Sequence, residues 1–166
     1  MIKILLINNN INREIEVPIS FIKNKYSKNE YYLIKNGLKK FFNIDKFEIE
    51  YVNGKPYIKD KEVYISISHD KDLILCAFSD KLIGADIQFY NNNVNINKLL
   101  NINNDINNNE SIDIFSKKEA IVKMYGKSLK NINDYDISKY NFLSYKTKHF
   151  VINCVSEWFD LKFNIY

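Results

Sequence analysis

Apolar and polar positions alternate along much of the N-terminal half of the chain, and each alternating run predicts a strand. Residues 2–7 form a short apolar run, the first strand. Phe47, Ile49 and Tyr51 alternate with Glu48 and Glu50, and Val63, Ile65 and Ile67 alternate with Tyr64, Ser66 and Ser68. Residues 73–78 are apolar without a break, which predicts a strand covered on both faces. Residues 82–89 make the next strand, with Ile83, Ala85, Ile87 and Phe89 on one face. Asn53-Gly54 is a hairpin-turn signal. Tyr31, Ile34, Leu38, Phe41 and Phe42 recur at helical spacing after Ser27-Lys28-Asn29-Glu30, a capping-box pattern. A helix is therefore predicted over 28–42, with Gly37 a point of close packing.

Residues 90–110 are rich in Asn and weakly patterned. Val94, Ile96, Leu99 and Leu100 predict a poor helix there, and the segment is the expected boundary between two halves, 1–90 and 91–166. Residues 115–125 predict a helix opened by Ser116. Residues 140–145 and 150–155 predict a hairpin turning at 146–149, and Trp158, Phe159 and Phe163 are expected to pack on the core. The fold class is α+β with mostly antiparallel strands.

Composition narrows the function classes. The chain has 166 residues, 46% hydrophobic, enough for one compact unit. Asn, Ile, Lys and Tyr abound and Arg13 is the single arginine, a bias that reads as an AT-rich genome. Lys is then expected where a relative would use Arg. A net charge of +4 suits an anionic ligand or an acidic protein partner, and with no basic stripe it gives no ground for nucleic acid. Cys76 and Cys154 lie in apolar, strand-like runs and read as buried thiols of a reducing cytoplasm. The N-terminus lacks a signal-peptide pattern, and no stretch approaches the roughly 20 apolar residues of a membrane span. A cytoplasmic protein without a membrane partner is expected.

The chemistry is sought where acids share a face. Asp86 and Gln88 point to one side of strand 82–89, about 7 Å apart at a rise of roughly 3.4 Å per residue. Gly84 on the same side leaves room for a ligand. Glu119 and Lys123 share a helix face. A helix crossing the strand end would bring two carboxylates and an amide oxygen together, oxygen ligands that suit Mg²⁺. No Cys/His cluster has zinc spacing. The nearby lysines and His69 are groups that hold phosphates. Each item also has a plainer reading. Lys55-Pro56 could be only the exit of a turn, Asp86 a solvent-facing acid and His69 a solvated histidine. Glu119 could be a capping partner of Ser116, or one of a surface pair with Lys123 worth about 0.3–0.5 kcal/mol. Order and spacing carry the argument.

Five segments occur in order between about residues 53 and 129: Gly54-Lys55-Pro56, Ser68-His69-Asp70, Gly84-Ala85-Asp86-Ile87-Gln88, Phe115-Ser116-Lys117-Lys118-Glu119-Ala120-Ile121-Val122-Lys123, and Gly126-Lys127-Ser128-Leu129. The pattern resembles the Sfp-type 4′-phosphopantetheinyl transferases, the nine-residue segment most specifically. The resemblance implies a monomeric pseudo-dimer of two α+β halves with coenzyme A in the cleft between them. The length of chain ahead of Asp86 fits the two-half type. It implies transfer of 4′-phosphopantetheine from CoA to a serine of an apo acyl or peptidyl carrier protein, in secondary metabolism, with release of 3′,5′-ADP. By this carry-over Asp86, Glu119 and Gln88 ligate Mg²⁺, with Mn²⁺ tolerated. Lys55, Pro56, Ser68, His69, Lys118 and Lys123 contact CoA, and Glu119, Lys123 and Asp86 carry catalysis, Glu119 as base for the carrier serine. The chain departs from the family at Gln88, where a third acid is usual, and at Ser128, where glycine is common. It also lacks the arginine of the N-terminal helix, for which Lys23, Lys25, Lys28 or Lys35 would substitute. These departures motivate an alternative, a non-catalytic relative that binds CoA or a carrier protein. A third reading is a basic α+β nucleic-acid module with fortuitous motifs.

Overall fold

The computed structural model describes residues 1–10, 16–17, 27–91, 96–101 and 106–157, and the backbone of 163–165. The chain runs β1 (Ile2–Asn8), α1 (Lys28–Phe42), β2 (Ile49–Val52), β3 (Lys55–Ile58), β4 (Tyr64–Asp70), β5 (Leu73–Ser79), β6 (Ile83–Phe89), α2 (Ile96–Leu100), α3 (Asn108–Met124), two 3₁₀ turns (Leu129–Asp134 and Ile137–Lys139), β7 (Phe142–Lys146), β8 (Phe150–Ser156) and β9 (Phe163–Ile165). This is an α+β fold with mostly antiparallel sheets. The strands form a four-stranded sheet, β4-β5-β1-β9, a three-stranded sheet, β6-β8-β7, and the β2-β3 hairpin; of these pairings only β1 with β9 is parallel.

Side-chain alternation stacks the layers. In β4 and β5, Ile65, Ile74, Cys76 and Phe78 pack against Leu33, Ile34 and Leu38 of α1. The opposite face of that sheet, with Ile2, Ile4, Leu75 and Ala77, packs against Ile83, Ala85 and Ile87 of β6 and Ile152 and Cys154 of β8. The far side of the three-stranded sheet is covered by α3, through Val122 against Val151 and through Ala120, Ile121 and Met124 against Val155. The order is helix, sheet, sheet, helix, and β6 is buried on both faces.

Helix α1 keeps its expected bounds. Ser27 accepts from the Glu30 amide and the Glu30 carboxylate accepts from the Ser27 amide, so the capping box closes. Gly37 is required because a Cβ there would lie 2.0 Å from the Phe78 ring. The Asn53-Gly54 turn has both residues at positive φ, 52° and 79°, as a type I′ hairpin demands. Both cysteines are free and buried. No helix among the described residues is long and apolar enough to cross a membrane.

Three expectations change. Helix α3 begins at Asn108, capped by the Asn107 side chain, well before the predicted start. Ser116 is therefore not a cap but a fully buried residue in mid-helix, and its hydroxyl has no hydrogen-bond partner. The poor helix expected after 90 is described only as the short α2. Trp158 and Phe159 lie outside the described residues, and of Phe163 only its backbone pairing with Ile2 is described.

Candidate functional site

Strand β6 lies at the edge of its sheet, beside β4, and receives no backbone ladder from it. Its amides on that side still need acceptors, since an unpaired buried N–H is costly. Side chains of β4 supply them. Ser66 Oγ accepts from Ala85 N at 2.9 Å, Ser68 Oγ from Ile87 N at 3.3 Å, and Asp70 Oδ2 from Phe89 N at 2.7 Å. Every second residue of β4 thus meets every second amide of β6, and the two sheets join along a seam of side-chain to main-chain bonds.

The seam leads directly to Asp86, which is fully buried. Ser68 Oγ donates to Asp86 Oδ1 at 2.7 Å, and Lys123 Nζ donates to the same oxygen at 2.7 Å and to Ser68 Oγ at 2.7 Å. Lys123 also pairs with Glu119 Oε1 at 3.1 Å. Gln88 Nε2 donates to Asp86 Oδ2 at 3.2 Å and to Glu119 Oε2 at 3.3 Å. Asp86 and Glu119 therefore share two donors, an ammonium and an amide. They meet in one polar cluster between β6 and α3.

Close packing makes the meeting possible. A Cβ on Gly84 would lie 1.8 Å from the Ala120 carbonyl oxygen and 2.6 Å from the Met124 amide nitrogen. Gly84 makes room for the backbone of α3, not for a ligand, which corrects the expectation. With α3 against β6, positions 119 and 123, one turn apart, overhang Asp86.

Electrostatics reflect this crowding. Burial and the Asp86 charge push the Glu119 carboxyl up, and Lys123 opposes them; the charge of Asp70 reaches Glu119 as well and adds to the rise. Burial pulls the Lys123 ammonium down, but Asp86 and Glu119 outweigh it and hold it above its ordinary value. Two carboxylates share one ammonium, with Asp70 close by, so the site has a negative surplus. The residues fit a divalent cation in their chemistry: two carboxylates converging on common points and a negative surplus are what a hard cation takes. Gln88 turns its nitrogen, not its oxygen, to the acids. Among the described residues, no group of three or more His, Cys, Asp or Glu side chains could hold a metal ion.

The other expected site residues divide. Gly54, Lys55, Pro56, Lys123, Gly126 and Lys127 line a groove of about 190 Å³ beside the cluster. Lys55 contributes its stem, since Gly126 lies against its aliphatic carbons. The Lys55 ammonium turns inward, donating to the Ile83 carbonyl at 3.0 Å and the Met124 carbonyl at 2.8 Å, and burial pushes its pKa down to about 8. It is therefore spent on main-chain carbonyls at the start of β6 and the end of α3 rather than offered to a phosphate. His69 follows Ser68 and faces the other side of β4, toward α1, its Nδ1 3.7 Å from Glu30 Oε1. Lys118 points to Asn133 Oδ1 at 3.5 Å, outside the cluster. Lys28 and Lys35 are exposed on α1, and Lys23 and Lys25 lie outside the described residues.

A second polar cluster went unread in the sequence. Asp113 of α3 accepts from Lys117 Nζ at 2.9 Å, Lys146 Nζ at 2.8 Å and Asn153 Nδ2 at 3.0 Å. Asn153 is the register partner of Asp86, and Ser144 donates to its Oδ1 at 2.5 Å. Burial raises the Asp113 carboxyl, but hydrogen bonds from Lys146, Asn153 and Lys117 prevail and hold it below its ordinary value. This cluster fastens α3 to β7 and β8. The four-residue spacing of Asp113 and Lys117 was its only signal, and Asp113 lay outside the predicted helix.

No protein-family model matches the chain, and no curated protein matches it.

Proposed function

We propose that this chain is a Mg²⁺-dependent transferase that moves 4′-phosphopantetheine from coenzyme A to a serine of an apo carrier protein, releasing 3′,5′-ADP. The observation that carries the reading is the convergence of Asp86 and Glu119 on common partners in one cluster, beside a lysine-lined groove. Five ordered motifs of the sequence support it. The pseudo-dimer of two halves belongs to the same proposal.

In this mechanism Asp86 and Glu119 hold the cation, and Gln88 ties the two acids together. When bound, the cation offsets charge on the diphosphate oxygens and orients attacker and leaving group. Lys123 and Lys127 meet the anionic groups of CoA from the groove. Glu119 receives the proton of the serine hydroxyl, a task its raised pKa suits, and such a base contributes about 10²–10⁴-fold. The serine oxygen bonds to the β-phosphorus as the bond from that phosphorus to the bridging oxygen breaks. The electron pair leaves with 3′,5′-ADP. The cytoplasm, where CoA and carrier proteins are found, is the proposed location.

The experiment is transfer of a labelled pantetheine from CoA to apo carrier domains of fatty-acid, polyketide and peptide-synthetase origin. Transfer that needs Mg²⁺ and disappears in Asp86→Ala and Glu119→Ala is expected. A folded protein that labels none of the three refutes the reading. The neutral Gln88 and the sequestered Lys55 ammonium favour one second reading, a relative that binds CoA without turnover. Binding by calorimetry without transfer would select it.

A further inference from the structure

Lys123 stands at the junction of two places. Its ammonium is bonded to Asp86, Glu119 and Ser68 within the acid cluster, and its side chain also lines the groove that Gly54, Gly126 and Lys127 enclose. It is the cation the two acids already share. A divalent cation held by Asp86 and Glu119 would compete for the space between them that the ammonium occupies, and two cations in contact repel strongly. Lys123 must leave for such an ion to enter, and the groove is the space next to it.

We propose that Lys123 is an exchangeable internal cation: its ammonium neutralises the Asp86–Glu119 pair until a divalent cation takes that pair, and then turns into the groove to meet an anionic ligand. The inference rests on the cation site proposed above. Gln88 gives the exchange its rigidity. Its amide bridges Asp86 Oδ2 and Glu119 Oε2, the oxygens that Lys123 does not use, so the carboxylates keep their spacing while the ammonium moves. A third carboxylate at position 88 could not donate these bonds and would add repulsion. Ser68 bonds to Asp86 independently and holds that carboxylate in place during the exchange. Cation and anion binding are thereby coupled: a cation sends positive charge into the groove, and an anion there draws the ammonium off the acids. By linkage the two effects are equal in binding free energy.

The test uses Mn²⁺ alone as probe, its binding read by electron paramagnetic resonance, with the full chain and Lys123→Met. The variant keeps an aliphatic chain of similar length and removes the competing charge. It is expected to bind Mn²⁺ at least about tenfold more tightly. Equal or weaker binding in the folded variant overturns the exchange while leaving the cation site standing. Absence of Mn²⁺ binding in both proteins overturns the cation site and the exchange together. If Lys123→Met does not fold, the unsubstituted protein decides, by acylation of its lysines followed by peptide mass spectrometry with and without Mg²⁺. Mg²⁺ should raise the labelling rate at Lys123 severalfold and leave exposed Lys28 unchanged; an unchanged or slower rate at Lys123 contradicts the exchange.

Discussion

Gly84 of β6 lies directly under Ala120 of α3, so closely that a Cβ at 84 would stand 1.8 Å from the Ala120 carbonyl oxygen. The obstacle is backbone and cannot rotate aside. Gly84→Ala must therefore lift α3 off β6. Overpacking of this kind costs about 1–3 kcal/mol, and more where backbone has to move. Thermal unfolding should show a fall of several degrees, and Mn²⁺ binding should weaken with it because positions 119 and 123 are carried on the displaced helix. A stable Gly84→Ala with unchanged Mn²⁺ binding would mean that the packing does not set the site.

Ser68 serves three groups at once, as a donor to Asp86 and an acceptor from Lys123 and Ile87, within the seam that its own strand β4 forms with β6. Ser68→Ala leaves a buried amide and an ammonium short of an acceptor, and each such loss costs about 1–3 kcal/mol. Denaturant unfolding of Ser68→Ala should give a lower midpoint at unchanged slope. Ser66→Ala removes only the acceptor of Ala85 N and should cost less.

Lys55 makes stability rise with pH in an alkaline window. Its folded pKa, about 8, lies below the ordinary 10.5, because burial penalises the ammonium. Between those values the unfolded chain binds more protons, so folding gains as pH rises. The gain is complete above 10.5 and is lost as pH falls through about 8. It amounts to at most about 3 kcal/mol, at 1.4 kcal/mol per pKa unit. The difference in unfolding free energy between the unsubstituted protein and Lys55→Met isolates it from the tyrosines. A pH-independent difference would contradict the assignment.

Asp113 acts at the other end of the scale. Its carboxyl sits below its ordinary 3.8 in the fold, so its contribution is present above that value and is lost as pH falls through the lower, folded one. Asp113→Ala should lower stability by about 1–3 kcal/mol at neutral pH and flatten the acid limb of the unfolding profile. It should leave Mn²⁺ binding in place, since Asp113 bonds to Lys117, Lys146 and Asn153 and not to Asp86 or Glu119.

Elements were legible wherever local chemistry decides them. The alternation along 82–89 put Asp86 and Gln88 on one side, and both face the partner helix. The capping box at Ser27 fixed the start of α1, and Asn53-Gly54 fixed the hairpin. What escaped depends on packing between distant segments. The start of α3 was hidden because Asn107 caps a first turn of Asn and Glu with little apolar periodicity. The Lys55 ammonium was misread because the carbonyls it satisfies, Ile83 and Met124, belong to segments far away in sequence. His69 was grouped with Ser68 although neighbours on a strand face opposite ways. The seam of Ser66, Ser68 and Asp70 was visible as alternation, but its purpose required knowing that β6 lies beside β4 without a backbone ladder.

The central claim is that Asp86 and Glu119 hold one divalent cation together. Mn²⁺ titration followed by electron paramagnetic resonance tests it most directly, on the unsubstituted chain, Asp86→Asn and Glu119→Gln. One bound ion per chain, lost or weakened at least about tenfold by either substitution, is the predicted result. Binding that survives both substitutions unchanged, or no binding to the unsubstituted chain, would contradict it.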